Sequence, residues 1–228
     1  MSGSFSKAQT ISFLGGLSVP GGLYASKDFT QKDCGLALPG YHVTVIFDDN
    51  RKGRAISPFI QYTFNTNKMD EGASQKITYA YDTLSRGVQS IKPWTQNFIL
   101  IGPRYNYYGN DFDLYAKAGI GMGWLSTYAY NIYYDSIGTL KNKGLSANAL
   151  VFSLGIGANI YINSGVSVCL GYEYFYAQPD YGIEKLEDVF GRVVAKASAK
   201  FQTPFQSANF YAGLRFQLKR NVEKTIVS

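Results

Sequence analysis

Residues 207–220, SANFYAGLRFQLKR, alternate with a period of two: Phe210, Ala212, Leu214, Phe216 and Leu218 fall on one register and Asn209, Tyr211, Gly213, Arg215 and Gln217 on the other. That period is the signature of a strand. Eight such segments recur, at 10–19, 39–48, 55–66, 96–108, 112–128, 148–162, 166–178 and 207–219. The connections between them alternate strictly in length, long at 20–38, 67–95, 129–147 and 179–206 and short at 49–54, 109–111 and 163–165. An up-and-down barrel with an even strand count puts all odd connections at one end and all even ones at the other. The short GND and NSG turns suit tight hairpins, since Gly and Asn tolerate positive φ. The pattern predicts an all-β fold, an eight-stranded antiparallel up-and-down barrel.

The two registers decide which way the barrel faces. One collects Ile99, Ile101, Tyr105 and Tyr107, then Ala116, Ala118, Ile120, Met122 and Trp124, then Leu150, Phe152, Leu154, Ile156 and Ile160, then Val166, Val168, Leu170, Tyr172, Tyr174 and Tyr176. The other collects Gln61, Thr63, Gln96, Arg104, Asn106, Asp113, Lys117, Ser153, Asn159, Ser167, Glu173, Arg215 and Gln217, with glycines among them. A water-soluble barrel would bury the charges and expose a patch far larger than soluble monomers tolerate. Turned inside out, the apolar register meets lipid, its Tyr and Trp residues form interfacial girdles, and the polar register fills the lumen.

Composition supports this reading. The chain of 228 residues carries 19 Tyr and 15 Phe beside 24 Gly, a mix that favours strands and turns over helices. The net charge of +6 raises nucleic acid as a partner. The cations are scattered, however: Arg51, Lys52 and Arg54 lie beside Asp48 and Asp49, and Lys219, Arg220 and Lys224 lie in the tail. No basic stripe with interleaved aromatics exists, so nucleic-acid binding is not expected. Cys34 and Cys169 lack a CxxC partner and His42 is the single histidine, so neither a metal nor a cofactor is expected. No run of about 18 apolar residues exists to form a membrane helix, which leaves a strand-built crossing open.

With its alternating segments, its GND and NSG turns and the closing strand NFYAGLRFQL, residues 10–219 resemble the small eight-stranded outer-membrane barrels of the OmpA and OmpX type, and in particular the outer-membrane β-barrel domain proteins of Bacteroidota. The resemblance implies a bacterial outer-membrane protein with four external loops and assembly by the usual barrel machinery. It departs from the family at NVEKTIVS, which follows a final strand that usually ends on an aromatic residue. Residues 1–9 read as an N-terminal extension and 220–228 as a periplasmic tail.

Five lumen residues carry the candidate chemistry: Gln61, Arg104, Lys117, Glu173 and Arg215. An eight-stranded barrel is just wide enough for side chains to fill it, so a satisfied polar plug is favoured over a gate that opens by rearranging the Glu173 pairing. GIGMG at 119–123 and GIG at 155–157 lie inside strands with no helix following. They read as inward space for Tyr211, Phe175 or Arg215, not as a phosphate loop. His42, Thr44 and Asp48 share one face and raise lipid hydrolysis, against the commoner reading of a hydrogen-bonded lumen histidine. In 179–206, Ile183, Leu186, Val189, Phe190, Val193 and Ala197 follow helical spacing, while Gly191 and the Val193–Val194 pair favour a strand hairpin, and the two readings balance.

Function is expected to reside in the loops, on a rigid scaffold. The first expectation is a non-enzymatic outer-membrane barrel in contact with outer-membrane lipid, whose external loops bind a partner protein or a surface, as a subunit of a larger outer-membrane complex in one form. A narrow porin-like channel and a lipid-modifying enzyme are the alternatives. A soluble lipocalin-like binder is the fourth, and the polar lumen argues against it.

Overall fold

The computed structural model describes residues 9–28, 30–31, 33–49, 55–81, 85–134 and 138–218. Residues 1–8 and 219–228, and with them Lys219, Arg220 and Lys224, lie outside these, as do Arg51, Lys52 and Arg54. In chain order the elements are β1 (Gln9–Pro20), α1 (Gly22–Ala25), β2 (Ala37–Asp48), β3 (Ile56–Met69), α2 (Glu71–Tyr81), β4 (Ser85–Lys92), β5 (Trp94–Tyr108), β6 (Phe112–Ser126), β7 (Ala129–Tyr134), β8 (Gly138–Asn142), β9 (Ser146–Tyr161), β10 (Val166–Ala177), β11 (Lys185–Glu187), β12 (Val193–Lys196) and β13 (Phe205–Leu218).

Eight of these strands close into a barrel, in the order β1-β13-β10-β9-β6-β5-β3-β2, and every neighbouring pair is antiparallel. They are the eight segments expected from the alternation. Each runs 12 to 16 residues, longer than the roughly 9–11 that a tilted strand needs to span the hydrocarbon. The surplus carries the barrel beyond the membrane toward the long loops. Closure leaves no unpaired edge in the wall, which a strand-built crossing requires.

The faces separate as the registers predict. Ile101, Ile120, Phe152, Leu154, Ile156, Leu170 and Phe210 stand outward and exposed, while Gln61, Arg104, Asp113, Lys117, Glu173 and Arg215 are buried in the lumen. Trp124 lies outward toward the loop end, and Tyr105, Tyr107 and Phe112 lie outward toward the short-turn end. No described helix is long and apolar enough to cross a membrane.

The two described short turns close without positive φ. Gly109 donates its amide to Phe112 O at 2.8 Å, and Asn163 Oδ1 accepts the amides of Gly165 and Val166 at 2.8 and 3.0 Å. A side chain standing in for a backbone acceptor closes the NSG turn, where the sequence suggested backbone permissiveness.

The long loops fold in a way the sequence does not announce. They build a second sheet, ordered β12-β11-β8-β7-β4, together with the two helices. The helical reading of 179–206 is corrected: 185–196 form the β11–β12 hairpin, turned at Gly191 with φ +80° and held by Asp188 Oδ1, which accepts the amides of Phe190 and Arg192 at 2.9 Å each. The described helix of any length is α2, in a loop for which no helix is expected.

Candidate functional site

The lumen is built in layers, each from inward residues of the barrel strands. At the short-turn end, Asp48 closes β2 with its carboxylate fully enclosed. It accepts Arg104 Nη1 and Arg215 Nη2 at 2.9 Å each and Thr10 Oγ1 at 2.5 Å. Arg104 Nε also donates to Asn106 Oδ1 at 2.9 Å, and its guanidinium lies 3.8 Å from the Tyr115 ring centre. Nearby, Tyr161 donates its hydroxyl to the carboxylate of buried Asp113.

One layer up, Lys117 Nζ donates to Glu173 Oε2 at 2.8 Å and to Gln61 Oε1 at 2.5 Å, while Gln61 Nε2 donates to Glu173 Oε2 and Thr63 Oγ1 at 2.9 Å each. The hydroxyls of Tyr115 and Tyr211 meet at 2.9 Å across the barrel. Glycine makes room for them: a Cβ on Gly157 would stand 2.5 Å from the Tyr115 hydroxyl, and one on Gly171 2.6 Å from the Tyr211 ring. These glycines, and those of GIGMG, are packing space within strands. The five residues singled out from the sequence therefore divide between two clusters, Arg104 and Arg215 on Asp48, and Gln61 and Lys117 on Glu173. The buried lumen charges balance, with Arg104, Lys117 and Arg215 against Asp48, Asp113 and Glu173, as a dry interior demands.

His42 does not assemble a catalytic group. Its Nδ1 lies 3.4 Å from Thr44 Oγ1 and its Nε2 3.3 Å from Phe210 O, and Thr44 is itself engaged with Thr63 at 2.9 Å. Asp48 lies six residues along β2, roughly 20 Å at the rise of a strand, and is held by the two arginines.

Toward the loop end the lumen changes character. A layer of amides and hydroxyls, in which Gln96 Nε2 donates to Tyr24 Oη at 2.9 Å and Asn209 Nδ2 to Asn65 Oδ1 at 2.9 Å, gives way to aromatic packing. Phe98 stacks on Phe175 and meets Phe205, with centres 5.4 and 5.2 Å apart. Tyr24 packs against Phe205 and Trp94 at 5.0 Å each, and Trp94 packs on against Tyr128, Tyr181 and Phe201. Trp94 is fully buried, and its indole N–H donates to Gly35 O at 3.0 Å. This core joins barrel strands to α1, β7, β8 and the 179–206 loop, so the second sheet is rooted in the barrel mouth. Phe98 and Phe205 lie on the polar register of their strands, which is why alternation alone conceals the aromatic half of the lumen.

Above the mouth, burial pushes the Glu184 carboxyl up from its ordinary range, partly opposed by a hydrogen bond from Asn142, and also raises the Tyr128, Tyr130 and Tyr181 hydroxyls. At the rim, a hydrogen bond from Lys27 holds the Asp70 carboxyl down.

Compared with known proteins, the chain matches no family model and no curated protein sequence. It is similar in structure to a major outer membrane protein from Thermus thermophilus, with a TM-score of 0.58 and 13% identity over 92% of this chain and 99% of that one. Neisserial surface protein A gives 0.48 and 10% over 92% and 97%. The outer membrane protease OmpT from Escherichia coli gives 0.45 and 11% over 96% and 99%. The first likeness supports the fold, that of small outer-membrane barrels. With the apolar belt on the outer face, the chain has the fold and the lipid-facing surface of an integral outer-membrane β-barrel.

Proposed function

We propose that this protein is a non-enzymatic outer-membrane anchor that presents a folded external platform to a partner protein, with its lumen sealed as a structural plug. The observation that carries the reading is the platform itself: a five-stranded sheet assembled from three separate loops and fixed to the barrel by the core around Trp94. Loops built only to connect strands need no such core, whereas a binding surface gains affinity from being preorganised. A plugged lumen suits this reading, because the two ion clusters and the Phe98, Phe175 and Phe205 layer fill the bore in succession. The spacing of His42, Thr44 and Asp48 supports the non-enzymatic part.

The test places a photo-crosslinking residue at Tyr79 or Phe190 on the platform, or at Leu154 on the belt, in the native membrane. The proposal expects protein crosslinks of discrete size from the first two and lipid adducts from the third, with no single-channel conductance from purified protein in planar bilayers. Discrete conductance steps, or a platform that crosslinks no protein, would overturn it.

A further inference from the structure

The two edges of the external sheet are finished differently. At β4, α2 packs alongside, and Glu71 Oε1 accepts the Ser90 amide at 2.9 Å, so a side chain already occupies a position that another strand would need. At the opposite edge β12 pairs with β11 and with no other described strand. Ala197 donates its amide to Glu184 O at 2.9 Å, and the alternation of an antiparallel ladder then turns the Ala195 amide toward β11 and that of Lys196 away from it, up to the register shift at Val194. All four residues of β12 are exposed, Val194 at 52%, and Phe190 in the adjoining turn at 80%. Exposed edges of this kind are normally blunted because they template pairing with another chain. This edge is covered by no other described strand, and Lys196 is the one charge among its four residues.

The side chains around it define what would fit. On one face, Lys185 and Lys196 stand directly opposite each other, and neither has a carboxylate within ion-pair distance among the described residues. Like charges in that position repel. On the other face Leu186 lies opposite Ala195, and together with Tyr134, Leu140, Val194 and the ion-paired Asp188 and Arg192 they line a groove of about 570 Å³.

We propose that β12 accepts an extended segment of a partner protein as a sixth strand of this sheet. The segment alternates, with an acidic side chain over the Lys185–Lys196 pair and apolar side chains on either side of it directed to the groove. Main-chain hydrogen bonds along the outer side of β12, that of the Lys196 amide among them, give such an addition its affinity, and the alternating side chains give it selectivity. A second copy of this chain fits poorly, since it would bring its own Lys196 to the same two ammonium groups. The inference rests on the partner-binding reading above and specifies its surface.

The test uses the refolded full chain in detergent micelles and two labelled heptapeptides, one alternating Val with Glu and one alternating Val with Lys, followed by fluorescence anisotropy. The acidic peptide should bind at least about tenfold more tightly. Lys196→Pro removes the outward amide and leaves the β11 ladder intact, so it should abolish binding that Lys196→Gln only weakens, while the heat-dependent mobility of the folded barrel on gels persists. Lys196→Glu, which leaves Lys185 facing a carboxylate, should remove the preference between the peptides. Equal binding of both peptides to the unaltered chain, or binding by Lys196→Pro as strong as by Lys196→Gln, would overturn the inference. So would concentration-dependent self-association that Lys196→Pro removes, which would assign the edge to a second copy. Platform crosslinks from Phe190 that persist undiminished in Lys196→Pro would refute the edge and leave the partner-binding reading standing. Absence of protein crosslinks from every platform position would refute both.

Discussion

Asp48→Ala removes the carboxylate that two arginines share. Arg104 and Arg215 are left with side chains 2% and 4% exposed, each having lost a 2.9 Å contact, and Thr10 loses its 2.5 Å acceptor. Breaking a buried pair from one side costs about 3–5 kcal/mol, because the remaining charge stays buried without its counterpart. Two cations lose Asp48 here, but their costs do not add, since both depended on one group and each keeps other contacts, Arg104 with Asn106 and the Tyr115 ring and Arg215 with Thr10. Arg215 also borders a cavity of about 380 Å³ at the short-turn mouth, through which water can reach it. The expected loss is therefore about 3–5 kcal/mol, not twice that. With a urea slope of about 3 kcal/mol per molar, the upper end for ordinary domains, the unfolding midpoint falls by about 1–1.7 M. The assay is the folded fraction in detergent against urea, read from gel mobility without boiling and from circular dichroism. A companion Asp48→Ala/Arg215→Ala variant should recover part of the loss, because one of the two cations deprived of Asp48 is gone. A midpoint shift below about 0.3 M for Asp48→Ala would refute the claim that this cluster is buried and coupled.

Leu154→Arg, at the middle of the outward belt, should cost about 2–4 kcal/mol in lipid vesicles, whereas Gln217→Arg at the exposed end of β13 should cost little; urea unfolding in the same vesicles compares them. Trp94→Ala should cost about 3–5 kcal/mol and release the platform, seen as faster amide exchange in 128–142 and 181–201 while the barrel strands stay protected. Glu184 has a folded-state pKa raised above its ordinary 4.5, so it withdraws stability as pH rises above that value. Glu184→Gln should therefore slow exchange in the 181–201 segment at pH 7 and change it little at pH 4. Asp70 has the opposite sign, because its lowered pKa withdraws stability only as pH falls below about 3.8, a separate window.

The barrel was legible because each of its strands carries its own evidence. Period-two alternation of Leu, Ile and Phe with Gln, Arg and Glu fixes both strand and face, and sorted loop lengths fix the topology. The platform was not legible because β7, β8, β11 and β12 are three to six residues long, and β4 finds its partner β7 some forty residues away. In 183–197 a helical spacing of apolar residues competed with Gly191 and two adjacent valines, and the Asp188 turn resolved it in favour of the hairpin. The lumen was legible as a set and illegible as pairs. Lys117 and Glu173 both lie opposite Gly155, on strands that flank β9, so the glycine between them lets the two side chains meet. Asp48 drew notice only beside His42 and the Arg51–Arg54 cations, since its arginine partners arrive from β5 and β13, on the two flanks of the β1–β2–β3 group.

The inside-out arrangement is tested most directly by the chain's two tryptophans, Trp124 on the lipid belt and 48% exposed, Trp94 enclosed above the lumen. The single-tryptophan variants Trp94→Phe and Trp124→Phe would be reconstituted into vesicles of phospholipid brominated along the acyl chains, and their emission compared with that in unbrominated vesicles. The account predicts strong quenching when Trp124 alone remains and none when Trp94 alone remains. Unquenched Trp124, or quenched Trp94, would contradict it.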